Sequence, residues 1–269
     1  MPIEWMNPTR SQRTFRAAMF DFDGTLSLIR EGWSGIMADI GTEAFAAKNL
    51  LKDSLAVERN RLEEGVLRLS GRPSIDQMRY LESEGIARGA TGLDALAMLE
   101  EFQRRLFARI ADRTEDLKAG RVPSHEWAVP DTHALLDSLR AKGVALYLAS
   151  GTVIDYVRNE AALLGVDHYF GERIYAPSGE VATFRKRDVV ARILSEQQIR
   201  GEELIGFGDG FSETVEVKAV GGTAIGIASR EKGEAGPHPM KRKMLIELGA
   251  DAIVADYADH ATWLGELWA

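Results

Sequence analysis

The sequence predicts an α/β fold, in which a doubly wound, three-layer core with a parallel sheet carries an inserted all-helical cap. Two observations predict it. From about residue 129 to the end, short apolar runs alternate with helical segments, which is typical of parallel strands joined by right-handed crossovers. From about residue 31 to 116, apolar residues recur at helical spacing and no convincing strand interrupts them. An apolar run at residues 17–20 precedes this helical block, so the block interrupts the sheet in sequence.

Domain boundaries follow from this pattern. We expect a loosely held leader over residues 1–13, a core formed by residues 14–29 and 126–269, and a cap formed by residues 30–125. Within the cap, Pro73 followed by Ser74 indicates that a new helix begins near Ile75, because proline is favoured at the first positions of a helix.

The core elements are predicted in order from apolar runs and helical spacing. Residues 144–149 form a near-continuous apolar run, which is typical of a central parallel strand. Tyr169-Phe170 and residues 173–175 together suggest one short strand. The remaining predicted strands cover residues 17–20, 204–207, 223–227 and 252–254, and the predicted helices cover 153–164, 186–198, 212–220, 240–248 and 260–268.

Composition narrows the class of function. The 269 residues are 45% hydrophobic and 28% charged, as in ordinary globular proteins, and the formal net charge is −8. An acidic chain argues against nucleic acid as a main partner, because phosphate backbones are held by basic surfaces. The sequence has no cysteine, which excludes a disulfide framework and a cysteine nucleophile. The five histidines are scattered without the spacing of a zinc site.

No segment resembles a signal peptide or a membrane span. We therefore expect a cytoplasmic protein with no membrane partner. The oligomeric state stays open between a monomer and a homodimer.

The stretch from Phe20 to Leu26 is the most informative in the chain. Asp21 and Asp23 follow a predicted strand, and residues i and i+2 of an extended segment point to the same side. Two adjacent like charges are unfavourable unless a cation or a shared proton relieves them. Gly24 allows a sharp turn and a close approach of the backbone to a ligand. The pattern therefore favours a metal-assisted phosphate site, and the alternative is a turn in which one aspartate caps the next helix.

Three later groups also follow strands or begin helices. Ser150 and Gly151 come directly after the predicted strand 144–149, where a hydroxyl and free N–H groups can bind an anion or simply cap a helix. Lys186 begins a helix inside a basic cluster, which is either a fixed cation for the site or a solvated helix start; Arg185 is its rival. Asp209 follows the predicted strand 204–207, and Glu213 lies one helical turn later, in what could also be a glycine-rich turn.

In this order, the four groups resemble the four motifs of the haloacid dehalogenase (HAD) superfamily. The string Asp21-Phe22-Asp23-Gly24-Thr25 matches motif I of its phosphatase members, Asp-x-Asp-Gly-Thr. Ser150 stands at motif II and Lys186 at motif III. Gly208-Asp209 with Glu213 matches motif IV, Gly-Asp-x-x-x-Asp, with glutamate in place of the second aspartate. The resemblance implies a Rossmann-like core with an α-helical cap inserted after motif I.

The resemblance also implies a reaction. The implied enzyme is a Mg²⁺-dependent phosphomonoesterase that works through an aspartyl-phosphate. Its substrate would be a small phosphorylated metabolite, either a sugar phosphate or a nucleoside monophosphate. Asp21 would be the nucleophile and Asp23 the acid and base. Asp21, Asp209 and the backbone carbonyl of Asp23 would bind Mg²⁺. The remaining implied roles are phosphate binding by Ser150, Gly151 and Lys186, and contact with the metal through water by Glu213.

Other functions stay open. A phosphomutase uses the same acids, and a phosphonate hydrolase would need a cap lysine, for which Lys48 and Lys52 are candidates that surface positions also explain. A non-catalytic binding protein has no physical need to gather four such charges.

The cap side chains expected to contact the substrate are Arg30, Trp33, Arg72 and Gln77; for Trp33, packing within the cap is the alternative.

Overall fold

The computed structural model describes residues 3–6, 12–179, 183–230 and 234–268. Within these residues the strands form one seven-stranded sheet in the order β1-β7-β6-β5-β2-β3-β4, and all neighbours are parallel except β1 and β7. The strands are β1 (Glu4–Trp5), β2 (Ala17–Phe20), β3 (Ala145–Ala149), β4 (Ile174–Tyr175), β5 (Leu204–Gly208), β6 (Thr223–Ile227) and β7 (Ala252–Val254). The predicted α/β fold with a mostly parallel sheet is confirmed.

Helices occupy both sides of the sheet and the insertion between β2 and β3. The inserted helices, which we call the cap, are α1 (Trp33–Ala47), α2 (Leu55–Leu67), α3 (Ser74–Ile86) and α4 (Ala95–Lys118). The core helices are α5 (Thr132–Ala141), α6 (Ile154–Leu163), α7 (Asp167–Phe170), α8 (Lys186–Gln197), α9 (Phe211–Ala219), α10 (Pro239–Glu247) and α11 (His260–Leu267). Among the described residues, no helix has the length and apolar character needed to cross a membrane.

The structure differs from the sequence-based expectations at two places. Glu4 and Trp5, expected within a loosely held leader, form β1 and pair with Ile253 and Ala252 at the edge of the sheet. The backbone groups at the free edge of β7 gain partners there. Tyr169-Phe170 lies in the short helix α7, and only Ile174–Tyr175 forms a strand.

The central strand β2 is buried along its whole length because both of its faces are covered. Ala18 and Phe20 belong to the apolar cluster on one face of the sheet, whereas Ala17 and Met19 belong to the cluster on the other face. This alternation is the period of two that an extended strand imposes. The ring of Phe20 stacks on that of Phe207 in β5, with centroids 4.5 Å apart, which joins the two strands near their carboxyl ends.

The cap shares its apolar interior with the core. The cluster that contains Phe20 and Phe207 continues into the cap through buried residues such as Phe45, Leu62 and Phe102. At the boundary, Phe107 of α4 packs edge-on against Tyr156 of α6, with centroids 5.2 Å apart. The cap therefore rests on the core through packed side chains as well as through its two covalent connections.

Inside the cap, a buried ion pair joins helix α2 to the end of α3. The carboxylate of Glu58, 1% exposed, accepts two hydrogen bonds of 3.0 Å from Arg88, and further bonds from Arg61 and the N–H of Lys52. The bonds from Arg88 hold the pKa of Glu58 at about 2, although burial acts in the opposite direction. Removing one partner of a buried pair leaves the other charge unpaired, which is strongly destabilising.

We expect Glu58→Gln to lower the free energy of unfolding by about 3 kcal/mol near neutral pH, because Arg88 loses its charged partner. The depressed pKa fixes the sign of the pH dependence. The carboxylate stabilises the fold above its ordinary pKa of about 4.3 and loses that effect as the pH falls toward about 2. The difference between wild type and variant, measured by thermal unfolding, should therefore shrink in acid. The control Glu101→Gln removes a partly exposed partner of Arg104 and Arg105 at the surface and should change the melting temperature little. Equal effects of both substitutions would contradict this assignment.

Candidate active site

Three neighbouring strands end at one edge of the sheet, and a polar residue follows each of them. Phe20 of β2 lies opposite Leu148 of β3 and Phe207 of β5, so the three strands end at nearly the same height. The residues that follow them and line one cavity under the cap include Asp21, Ser150 and Asp209. Of the residues predicted from sequence, those lining this cavity are Asp21, Asp23, Arg30, Trp33, Arg72, Gln77, Ser150, Gly151 and Asp209.

Lys186 and Glu213 belong to the same site, although they lie behind the residues that line the cavity. Lys186 is the first residue of α8 and 2% exposed, and its Nζ lies 2.5 Å from Oδ1 of Asp21. The same Nζ also donates to the carboxylate of Glu213 in α9. The ammonium group therefore bridges two buried carboxylates, and the rival candidate Arg185 is exposed outside the cavity.

Burial and charge act against each other in this bridge. Loss of water raises the pKa of Asp21 well above its ordinary value, against the opposing effect of Lys186, and the nearby Glu213 and Asp209 raise it further. Burial likewise raises the pKa of Glu213. Burial alone would lower the pKa of Lys186, but Asp21 and Glu213 outweigh it and raise that pKa. Lys186 is therefore held as a cation between Asp21 and Glu213, and its single positive charge does not fully offset the negative charge of the carboxyl groups around it.

Asp23 is held by a hydroxyl on one side. Thr152 Oγ1 donates to its Oδ2 at 2.7 Å, and the guanidinium of Arg30 lies 3.9 Å from its Oδ1, which accepts no hydrogen bond from the described residues. Burial raises the pKa of Asp23, while Arg30 and Thr152 oppose the shift. Phe22, between the two aspartates, is fully buried in the apolar cluster, as expected for the opposite face of an extended segment.

Arg30 is bonded mainly to the core. Its guanidinium donates to both oxygens of Glu160 in α6, at distances between 2.7 and 3.0 Å, and lies over the ring of Tyr156. Burial raises the pKa of Glu160, and the arginine opposes that shift. Arg30 lines the cavity, and its guanidinium is bonded to Glu160; its predicted contact with a substrate stays a prediction.

The turn between α2 and α3 closes the cavity from the cap side. The Arg72 carbonyl lies so close to Gly151 that a side chain on Gly151 would collide with it. The guanidinium of Arg72 packs over the ring of Phe211, with 5.2 Å between Cζ and the ring centroid. Gln77 Nε2 donates to the Leu69 carbonyl at 3.0 Å, which leaves Oε1 buried and without a hydrogen-bond partner in the described residues.

Two other cap residues matter for the site. Ser70 also lines the cavity with a buried hydroxyl that has no described hydrogen-bond partner. Trp33 is half-buried at the start of α1, where it both lines the cavity and packs on the apolar cluster. Lys48 and Lys52 are exposed and do not line the cavity, and Lys48 donates to the Thr91 carbonyl at 2.8 Å.

The donors at the strand ends suit a hard divalent cation. Among the described residues, no three acidic or histidine side chains form a ready-made metal cage. Mg²⁺ does not require one, because it is commonly held by one or two carboxylates together with water and substrate phosphate. Asp21 and Asp209 provide carboxylates here. Together with Asp23 and Glu213 they make four carboxyl groups, which in their ionised form carry two more charges than the two nearby ammonium groups, since Arg30 is paired with Glu160.

Besides Ser70, three side chains at the site have no role in the sequence-based prediction. Thr152 belongs to the string Ser150-Gly151-Thr152 that follows the predicted strand 144–149, but no sequence signal marks its bond to Asp23. Glu160 and Lys241 reach the site from α6 and α10, and Lys241 Nζ lies 2.7 Å from Asp209 Oδ2. No sequence motif marks either residue.

Comparisons with known proteins agree with this geometry. The family model of haloacid dehalogenase-like hydrolases matches residues 15–221. A search of curated proteins finds no match. A Haemophilus somnus crystal structure described as a predicted phosphoglycolate phosphatase superposes with a TM-score of 0.58 at 15% identity, covering 93% of this chain and 98% of that one.

Two further crystal structures share the fold. A HAD family hydrolase from Deinococcus radiodurans, with bound phosphate and sodium, has a TM-score of 0.57 at 21% identity, covering 95% of this chain and 97% of that one. A β-phosphoglucomutase from Clostridium difficile has a TM-score of 0.59 at 14% identity, covering 94% and 96%. Because the family model covers most of the chain and the strand-end residues occupy one cavity, the chain belongs to the haloacid dehalogenase-like hydrolases.

Proposed function

We propose that the protein is a Mg²⁺-dependent phosphomonoesterase that acts on a small phosphorylated metabolite through an aspartyl-phosphate. The observation that carries the proposal is the buried Asp21, which is bonded to Lys186 and shares one cavity with Asp23, Ser150 and Asp209. A carboxylate nucleophile beside a fixed ammonium and a second carboxyl group is suited to phosphoryl transfer, where catalysis rests on positioning and charge stabilisation.

Asp21 forms the covalent bond to phosphorus in this proposal. The bond from Lys186 fixes Oδ1 and leaves Oδ2 as the attacking oxygen. Attack on the phosphoryl group displaces the leaving alcohol, and water then hydrolyses the aspartyl-phosphate. One difficult displacement is thereby divided into two easier ones. Lys186 also places a positive charge where the equatorial oxygens of the phosphoryl group become more negative.

Asp23 transfers protons to and from the reacting oxygens. Thr152 holds one of its oxygens, and the other accepts no hydrogen bond from the described residues. Burial raises the pKa of Asp23, which favours the protonated form that can give a proton to the leaving oxygen. After that step the carboxylate accepts a proton from the hydrolytic water.

The charge surplus supports the proposed cation. The carboxylates of Asp21 and Asp209 and the backbone carbonyl of Asp23 would hold Mg²⁺, which when bound supplies the positive charge that lets an anionic phosphate approach anionic side chains. Glu213 is bonded to Lys186, which supports a role in orienting the lysine or a metal-bound water. Ser150 and Gly151 line the cavity, which supports a role for the Ser150 hydroxyl and the Gly151 N–H in binding phosphoryl oxygens.

The cap supports a substrate that carries hydroxyl groups. Gln77 and Ser70 line the cavity, and the Oε1 of Gln77 and the hydroxyl of Ser70 are buried without a hydrogen-bond partner in the described residues. A buried polar atom without a hydrogen bond is unfavourable, so a hydroxyl of the leaving group that bonds to it would add affinity. Gln77 can only accept there, because its amide nitrogen is bonded to the Leu69 carbonyl. A sugar phosphate or nucleoside monophosphate provides such hydroxyl donors.

A phosphomutase of the same family would use the same carboxylates and would return the phosphoryl group to another hydroxyl. Release of free phosphate distinguishes the two reactions. The most direct experiment is therefore a phosphate-release screen over a panel of sugar phosphates and nucleoside monophosphates.

We expect the purified protein to release phosphate from a small aryl phosphate when Mg²⁺ is added, and to stop when a chelator removes the ion. The reason is the surplus of negative charge around Asp21 and Asp209, which an anionic substrate would otherwise have to approach unaided. A phosphate-release assay with and without chelator makes the measurement. Full activity after exhaustive chelation would contradict the assigned cation.

We expect Asp21→Asn to abolish turnover, because it removes the nucleophile and keeps the side-chain shape. Asp23→Asn should slow turnover by about a hundredfold or more, the usual contribution of a positioned acid. Steady-state kinetics with both variants, together with circular dichroism to establish that they fold, makes the comparison. A near-wild-type rate for Asp21→Asn would show that no covalent aspartyl-phosphate forms.

We expect Ser70→Ala to raise the KM for the best metabolite of the panel by a few-fold to about tenfold, the range for one lost hydrogen bond. The KM for the small aryl phosphate should not change, because that substrate reaches only the phosphate site. Ser70 has no described hydrogen-bond partner, so the fold should lose little. Ser83→Ala, an exposed change in the same cap, is the matched control. Equal KM changes for both substrates would argue against a hydroxyl-binding role.

A further inference from the structure

A second buried ammonium group lies at the site, outside every motif found in the sequence. The side chain of Lys241 in α10 is 11% exposed, and its Nζ lies 2.7 Å from Asp209 Oδ2 and 3.3 Å from Ser229 Oγ. Ser229 in turn donates to the Gly24 carbonyl at 2.5 Å. Lys241 therefore contacts the acid that follows β5 and, through Ser229, the turn that follows Asp23.

The local backbone leaves room for this lysine. Gly24 has a φ of +74°, and a Cβ at that position would collide with both the Asp209 carboxylate and the Lys241 ammonium. The start of α10 is fixed by His238, whose Nδ1 accepts from the N–H of Lys241, and by Pro239 in the first turn. A cation in the first turn is unfavourable with respect to the helix dipole. The ion pair with Asp209 is therefore the interaction that accounts for the position of Lys241.

The role of Lys241 follows from its partner in this ion pair, Asp209. Asp209 is the only acidic side chain in the described residues within ion-pair distance of Lys241. It is also one of the two carboxylates that would hold the divalent cation in the proposed function. A unit positive charge on the same carboxylate repels a divalent cation and competes for its oxygens. The site thus brings one lysine and one metal ion to a single aspartate.

We infer that Lys241 is the counter-ion of Asp209 in the metal-free protein, and that it weakens the binding of the divalent cation to the site. This inference rests on the cation site of the proposed function. Without metal, the ammonium offsets part of the repulsion among the four carboxylates. With metal, Asp209 is shared between two cations, so the ion is held less tightly than two carboxylates alone would hold it.

The test measures binding of Mn²⁺ alone, without substrate, from the electron paramagnetic resonance signal of the free ion. We expect Lys241→Met to lower the dissociation constant of Mn²⁺ by about tenfold or more, since removing a nearby unit charge has an effect of this size even at a high dielectric constant. Lys241→Gln, which keeps a polar group, should tighten binding in the same direction. The matched control is Lys243→Met, which removes the same charge from an exposed position of the same helix and should leave the dissociation constant unchanged.

Thermal unfolding gives a second readout. Without metal, Lys241→Met should melt below Lys243→Met, because the carboxylates have lost a counter-ion. Saturating Mg²⁺ should then raise the melting temperature of Lys241→Met more than that of wild type. If Lys241→Met fails to fold, Lys241→Gln carries the comparison.

Unchanged or weaker Mn²⁺ binding in both Lys241 variants would overturn the inference. So would the absence of Mn²⁺ binding in wild type and variants alike. Phosphate release from the aryl phosphate, measured on the same samples, separates the two proposals. Hydrolysis that persists without any bound metal would refute the cation of the proposed function and, with it, this role of Lys241. Metal-dependent hydrolysis with unchanged Mn²⁺ binding in the Lys241 variants would refute this role of Lys241 alone.

Discussion

The structure depends on keeping several carboxylates together in a place that water scarcely reaches. Asp21, Glu213 and Asp209 are each no more than 3% exposed, and unpaired charges are costly at such depth. Two lysines make the arrangement possible. Lys186 bridges Asp21 and Glu213, and Lys241 pairs with Asp209. Several local features bring an ammonium group to a carboxylate: the starts of α8 and α10, the turn at Gly24 and the close packing around Glu213.

The sheet sets the positions from which these groups act. β2 pairs in parallel with β3 and β5, and Phe20 of β2 stacks on Phe207 of β5, so Asp21, Ser150 and Asp209 follow strands that end at a common edge. The cap then closes over this edge through the turn at Arg72, whose backbone passes close to Gly151. The cavity is therefore made by two parts of the chain that are far apart in sequence. The core binds the phosphate in the proposed reaction, and the cap faces the rest of the substrate.

Much of the site could be predicted because strand ends constrain where side chains go. Asp21 and Asp23 share a face by the geometry of an extended chain, and parallel strands bring Ser150 and Asp209 to the same edge. Contacts made by approaching helices carry no such local signal. Glu160 pairs with Arg30, and Lys241 with Asp209, only because α6 and α10 pack where they do. The strand at Glu4–Trp5 escaped prediction for a similar reason: two residues are too few to show a period, and their pairing depends on the edge of β7.

The antiparallel strand β1 also changes what the sheet can associate with. An unpaired edge strand presents a row of backbone donors and acceptors to which another chain can add. In this protein, Glu4 and Trp5 occupy that row on β7, and Glu4 is bonded through its side chain to Arg242. The outermost strand on this side is then only two residues long, too short to template a further strand. Glu4 and Trp5 thus cover the edge of β7 to which the strand of another chain could otherwise add.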